Sequence, residues 1–408
     1  MKIAILGHGV VGSGVVEVLT KNGDNIGRKA GEPIEIKYIL DLREFPELPY
    51  AGLFTKDFSL IANDPEVGVV VEVMGGVEPA CTFVKECLKH GKSVVTSNKE
   101  LVAEKGAELL ALAAEHHKNF FFEASVGGGI PIVKPLHLCL GANEITETAG
   151  ILNGTTNFIL TKMIREGMSF ADALALAQKL GYAEKDPTAD VEGQDACRKI
   201  CILASLAFGS HIYPKYVHCE GITKITKEDV DYAAQWGGVI KLIGRAKKLS
   251  DGKVAIMVSP AFIVRESQLA GVDDVFNGIL VRGDATGDVV FYGKGAGKLP
   301  TASAVVSDII DAARATDTIR TLQWGDGDIN GVEQWESCPV TAFVRVKDGG
   351  DAAAKVKVLF GEVRCLVPIA GEMAFVTPEL TESELAGKLA ALAENDAPML
   401  GMIRILDY

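Results

Sequence analysis

Over the first 130 residues, short and nearly continuous apolar runs (3–6, 34–40, 67–74, 93–96 and 120–123) alternate with stretches of helical periodicity (13–21, 79–90 and 99–117). Unbroken apolar runs suit strands covered on both faces, and a helix after a strand makes the crossover that parallel neighbours require. Pro79 opens one helical stretch and Gly91 closes it, the usual asymmetry of helix termini. The rhythm predicts a doubly wound parallel sheet with helices on both faces.

Beyond residue 130 the pattern changes. A strand at 144–152 precedes helical stretches at 155–166, 169–180, 190–208 and 226–235, after which 238–249, 253–264, 275–283 and 287–293 read as strands. The turns SDGK and DATGD join these last four into hairpins. A mixed α/β unit is therefore expected over 131–299, with 300–330 returning to complete the first unit. The final stretch reads strand 340–346, helix 351–360, strands 362–369 and 372–377, helix 382–394 and strand 400–407. That is the split βαβ, or ferredoxin-like, order, and it sets a third unit at 337–408.

Composition narrows the function. With 48% hydrophobic and 23% charged residues among 408, the chain belongs with folded globular proteins rather than disordered ones. A net charge of -13 argues against nucleic-acid partners and anionic membranes, since both need a basic footprint. No apolar run approaches the roughly 18 residues of a bilayer span. Eight cysteines without a C-x-x-C pair fit reduced thiols in a cytoplasm. The seven histidines show no metal-ligating spacing, so no transition metal is expected.

Gly7-His8-Gly9-Val10-Val11-Gly12 follows the first strand and opens the first helix, the setting that makes G-x-G-x-x-G a dinucleotide fingerprint. A Rossmann-type unit binding NAD or NADP follows. Asp41, past the second strand, would bond the adenosine ribose and favour NAD, whereas Arg43 would favour a 2'-phosphate; the expectation leans to NAD. Cofactor contacts are assigned to Gly7, Gly9, Val10, Val11, Gly12, Asp41, Gly75, Ser97 and Lys99. His8 reads as a solvent-facing loop residue without chemistry.

Five ordered segments are dense in residues that folding alone does not explain: 93–100 (SVVTSNKE), 121–131 (FFEASVGGGIP), 150–160 (GILNGTTNFIL), 180–200 (LGYAEKDPTADVEGQDACRKI) and 291–310 (FYGKGAGKLPTASAVVSDII). Glu184 and Asp190 precede a helix on which Asp195 and Lys199, four apart, share a face, with Asp190 near its N-cap. Carboxylates suit a substrate ammonium, and a lysine suits an oxygen that gains or loses a proton as hydride moves. Lys99 follows a strand at the carboxyl edge of the sheet, where doubly wound folds bind ligands.

Together the five segments resemble those of homoserine dehydrogenases over roughly residues 1–330. The resemblance implies NAD(P)-dependent interconversion of L-aspartate 4-semialdehyde and L-homoserine, in threonine, methionine and isoleucine biosynthesis. It makes Lys199 and Lys99 the catalytic lysines, with Lys199 the proton donor and acceptor. Glu184, Asp190, Asp195, Tyr182, Gly154 and Thr155 become the substrate side, together with Asn153. Glu123, Val126, Gly128 and Ile130 match a loop that holds sodium or a similar monovalent cation, through one carboxylate and several main-chain carbonyls. The resemblance also implies a C-terminal ACT-like domain open to threonine, and a homodimer or dimer of dimers. The alternatives are another reductase of the aspartate pathway, which in the semialdehyde branch would need a cysteine nucleophile, or an NADH-sensing regulator, which would need a DNA-binding helix-turn-helix.

Overall fold

The computed structural model describes residues 1–315, 322, 324–369 and 371–408. Six parallel strands form one sheet in the order Phe54–Thr55, Glu35–Leu40, Lys2–Leu6, Val67–Glu72, Ser93–Thr96, Phe120–Phe121. Winding reverses between Lys2–Leu6 and Val67–Glu72, and a crevice opens past their carboxyl ends. The apolar runs follow from burial on both faces: Ile3, Ile5, Val69 and Val71 enter one core, and Ala4, Leu6 and Val70 enter the other. The α/β class and the parallel sheet are thus as the pattern predicts.

One face is closed by Val10–Ala30 and by Lys298–Arg314, a helix from far along the chain. They approach so closely that a Cβ on Gly14 would lie 2.8 Å from the Lys298 carbonyl oxygen. Of the return expected at 300–330, this helix carries the packing, while 316–321 and 323 lie outside the described residues.

The second sheet is mixed, in the order Gly287–Lys294, Phe276–Gly283, Ile145–Ile151, Gly238–Lys248, Val254–Val264, Met399–Ile405, Ala342–Lys347, Glu372–Val376, Arg364–Cys365. Both expected hairpins form, and Ile145–Ile151 runs antiparallel between them. The last strand of the chain, Met399–Ile405, pairs in parallel with Val254–Val264 through Ala261 with Arg404 and Phe262 with Ile405. One sheet therefore continues into the C-terminal segment. Buried arginines secure the junction: Arg404 meets Glu382 at 2.6 Å and Glu220 at 2.8 Å, and Arg345 meets Asp229 at 2.8 Å and Glu372 at 3.0 Å. A guanidinium can be buried there because each is paired more than once.

Two local expectations are corrected. The helix expected at 190–208 is two, Thr188–Val191 and Gln194–Phe208, because Gly193 takes a φ of +80° and turns the chain between them. Asp190 thus lies on a separate short helix rather than at the N-cap of the second. The strand expected at 362–369 is only Arg364–Cys365; beyond it the Ile369 N–H donates to the buried Tyr232 hydroxyl at 2.8 Å instead of to a sheet partner.

Candidate active site

The nucleotide end begins at Gly7, which leaves its strand with a φ of +102°. A Cβ on Gly12 would lie 2.0 Å from the Gly7 carbonyl oxygen, so only hydrogen fits there. Gly9 is the N-cap of Val10–Ala30 without a side-chain cap, and the first turn carries no acid. Its leading amides, Val10 and Val11 among them, are left to an outside anion.

His8 is not the solvent-facing residue the sequence suggests. It is 6% exposed, with its ring edge-on to Phe45, Phe54 and Tyr50 at 4.9, 5.0 and 5.7 Å, and burial pushes its pKa down. Asp41 and Arg43, two competing readings in the sequence, form one clamp on the fingerprint loop. The Asp41 carboxylate accepts the His8 N–H at 2.8 Å and the Arg43 guanidinium at 2.8 and 2.9 Å, while that guanidinium donates to the His8 carbonyl at 3.1 Å. The Arg43 side chain holds the Asp41 carboxyl well below the usual carboxylate range. Beside the clamp lies a cavity of about 490 Å³, lined among others by Gly7, Asp41, Arg43, Lys56 and Met74.

Gly75, with a φ of +89°, and Ser97 lie in the loops after Val67–Glu72 and Ser93–Thr96. Sequence reasoning passed over what holds these loops. Glu72, fully buried, accepts the Thr96 hydroxyl at 2.6 Å and the Met74 N–H at 2.8 Å. Asn98 donates to the Gly76 carbonyl at 2.7 Å and caps Lys99–Glu115 through the Leu101 N–H at 3.0 Å. A lone glutamate closing the apolar run VGVVVE was the available signal.

That cap sets Lys99 as the first residue of its helix, aimed at the second unit. There Gln194–Phe208 buries its charged face: Asp195 is 3% and Lys199 7% exposed. The Lys199 ammonium donates to the Leu152 carbonyl and to Asp195, both at 2.8 Å, and Lys99 pairs with the other Asp195 oxygen. Asn153 donates to Asp190 at 2.7 Å and to Asp195 at 2.9 Å, and its carbonyl oxygen caps Gly154–Glu166 through the Thr156 N–H, which fixes which way the amide points. Burial raises the Asp190 carboxyl and opposes ionisation of Asp195, but the two lysines outweigh it at Asp195 and hold that group well below its ordinary value. Burial, reinforced by Lys99, lowers Lys199, while at Lys99 the Asp195 charge overcomes burial and raises it.

Residues 99, 190, 195 and 199 thus converge, with Asn153 bridging. Thr155 joins through its hydroxyl, which donates to the Tyr182 carbonyl at 2.7 Å, and a Cβ on Gly154 would lie 2.8 Å from the Val275 carbonyl oxygen. Glu184 stays apart. It is exposed on the turn after Gly181, and its carboxylate makes no hydrogen bond or ion pair among the described residues.

The loop at 123–130 packs against 294–297, where a Cβ on Gly128 would lie 2.3 Å from the Gly295 carbonyl oxygen. The Glu123 carboxylate, expected to face an ion, instead accepts the N–H groups of Ile132, Val133 and Lys134 at 2.6, 2.9 and 2.8 Å. Among the described residues, no N–H reaches the carbonyls of Val126, Gly128 or Ile130, although these residues are buried. Buried carbonyls rarely lack a partner, and hard oxygens of this kind suit a hard monovalent cation.

A fingerprint loop at the reversal of a doubly wound sheet, and past the carboxyl end of another strand of that sheet a buried cluster in which one carboxylate holds two ammoniums, suit hydride exchange with a bound dinucleotide; the protein is an NAD(P)-dependent oxidoreductase. Residues 7–123 match the family profile of the homoserine dehydrogenase NAD-binding domain, and 131–310 that of homoserine dehydrogenase. The homoserine dehydrogenase of Synechocystis is 47% identical over 320 residues, covering 76% of this chain and 73% of the relative. A homoserine dehydrogenase from Thiobacillus denitrificans superimposes with a TM-score of 0.92 at 36% identity, covering 100% of this chain and 98% of the other. A hyperthermophilic archaeal homoserine dehydrogenase in complex with NADPH gives 0.65 at 28% identity, covering 76% of this chain and 97% of the other. The chain belongs to the homoserine dehydrogenase family.

Proposed function

We propose that the chain interconverts L-homoserine and L-aspartate 4-semialdehyde, with bound NAD or NADP accepting or delivering hydride at the carbon that bears the oxygen. Lys199 carries the reading: an ammonium 7% exposed, fixed at 2.8 Å by Asp195 and the Leu152 carbonyl, beside Lys99 from the first turn of the helix Lys99–Glu115. In reduction it gives a proton to the carbonyl oxygen as hydride reaches carbon; in oxidation it takes the hydroxyl proton as hydride leaves. Asp195 is already matched by two lysines, so Asp190, together with Glu184, uncommitted among the described residues, receives the substrate ammonium, while Tyr182, Gly154 and Thr155 shape the pocket. Following nicotinamide absorbance with L-homoserine and each cofactor tests this, and no reduction of either would overturn it. Arg43 offsets Asp41, and Lys56 lines the same cavity, which supports NADP as well as NAD.

The loop of Glu123, Val126, Gly128 and Ile130 binds sodium or a similar ion in this reading, through main-chain oxygens rather than the Glu123 carboxylate. Replacing sodium and potassium by tetramethylammonium at constant ionic strength is expected to lower both kcat and Tm, and added sodium to restore them. Unchanged values would remove the ion.

The division into 1–130 with 300–330, 131–299 and 337–408 is retained as part of the proposal, as is a cytoplasmic setting. The strand order 399–405, 342–347, 372–376, 364–365, with helices at 352–360 and 382–394, supports an ACT-like C-terminal unit. Threonine as its effector, and a homodimer or dimer of dimers through the middle sheet, are checked by titrating threonine against activity and by sedimentation.

A further inference from the structure

The helices Lys99–Glu115, from the nucleotide unit, and Gln194–Phe208, from the second unit, pack directly on each other. Two charged contacts cross between them at the active-site end. Lys99 reaches Asp195, and one residue further along Glu100 meets Arg198, with Oε1 and Nη2 3.0 Å apart. Each helix thus offers one cation and one anion, matched in opposite senses. A turn deeper, the His211 ring nitrogen lies 2.9 Å from the Ala103 carbonyl, and a Cβ on Gly106 would lie 2.6 Å from the Trp324 ring. Among the described residues, the two ion pairs are the polar contacts between the helices at their mouth, beside the apolar packing below.

The two pairs face different demands. Lys99 and Asp195 border the substrate in this reading, and its oxygen competes with Asp195 for the Lys199 and Lys99 ammoniums in every turnover. Their contact is therefore an unreliable tie. Glu100 and Arg198, 35% and 24% exposed, have no role in the proposed chemistry and are free to stay paired while Lys99 changes partner.

We propose that Glu100 and Arg198 form a latch that holds the nucleotide-side helix against the substrate-side helix and so positions Lys99 at Asp195 during turnover. The proposal rests on the assignment of Lys99, Asp195 and Lys199 as the reacting site. Both latch residues are positioning residues and touch no reacting atom. A half-exposed ion pair adds little to folding stability, whereas a displacement of about 1 Å at reacting groups lowers rates by up to about a hundredfold. The latch should therefore be read in kcat rather than in melting.

The test is steady-state kinetics on Glu100→Gln, Arg198→Met, Arg198→Lys and the charge-exchanged double variant Glu100→Arg/Arg198→Glu. Each neutralising variant is expected to lose roughly tenfold in kcat with cofactor KM and Tm unchanged. Arg198→Lys should keep most of the rate, and the exchanged pair should return to within about threefold of wild type. Neutral variants within about twofold of wild type, or an exchanged pair no faster than they are, would overturn the latch. Lys199→Met, assayed alongside, separates this from the site assignment: full activity there overturns the assignment itself, whatever the latch variants do.

Discussion

Replacing Lys199 by methionine is expected to lower kcat for homoserine oxidation by about a thousandfold, the middle of the range for losing a positioned acid or base. Cofactor KM should move little, because the fingerprint loop lies on the other unit. The pH profile carries the sharper signature. Burial and the neighbouring Lys99 place Lys199 below the ordinary lysine value of 10.5, and as a base it must be neutral, so oxidation rises with pH along a limb set by that lowered pKa. Lys199→Met removes the limb. Lys99→Met removes a cation that depresses Lys199, so the limb moves to higher pH; Asp195→Asn removes an anion that raises it, so the limb moves lower. A Lys199→Met enzyme with wild-type rate and an unchanged limb would contradict the assigned role.

Gly221→Ala is expected to destabilise the protein by about 3 kcal/mol, the upper range for forced overpacking, and to lower Tm by roughly 6–12 °C. A Cβ there would lie 2.1 Å from the Val191 carbonyl oxygen and 2.4 Å from the Glu192 Cα, both main-chain atoms. The segment has no slack. Cys219 is paired to Val258, the Glu220 N–H donates to Val258 at 2.8 Å, and the Ile222 N–H holds the same Val191 carbonyl at 2.8 Å. Any relief moves the short helix Thr188–Val191, and with it the Asp190 carboxylate that Asn153 holds. Efficiency with homoserine should therefore fall more than cofactor affinity. Gly23→Ala, in a helix with nothing within 4 Å of the added atom, is the control and should lose no stability. Equal melting of the two variants would show that the backbone at 221 can yield.

Gly221 illustrates what the sequence hides. The tight place of Gly12 is legible, because the atom it would strike belongs to a residue five positions earlier in a known loop geometry. Gly221 strikes a segment some thirty residues away, and nothing in G-I-T announces it. His8 is similar: its polar ring, read locally, belongs in solvent, but three aromatic rings from 45–54 close over it. The break at Gly193 is not legible locally, because a single glycine in a helical pattern is tolerable, and only the need to seat 219–222 against 191–193 turns it into a stop.

Strand and helix identities, the phosphate-binding turn and the carboxylate–lysine helix face could be read from the chain, since each depends on dihedral preference and side-chain period within a few residues. The sequence alone also located every residue of the converging charge cluster. Which charges neutralise which was decided only by the fold: that Lys99 shares Asp195 with Lys199, that Arg43 clamps Asp41, that Glu184 stays unpaired among the described residues, and that the last strand extends the middle sheet. Coulomb attraction and burial act through space between groups far apart in sequence, and no local pattern encodes that distance.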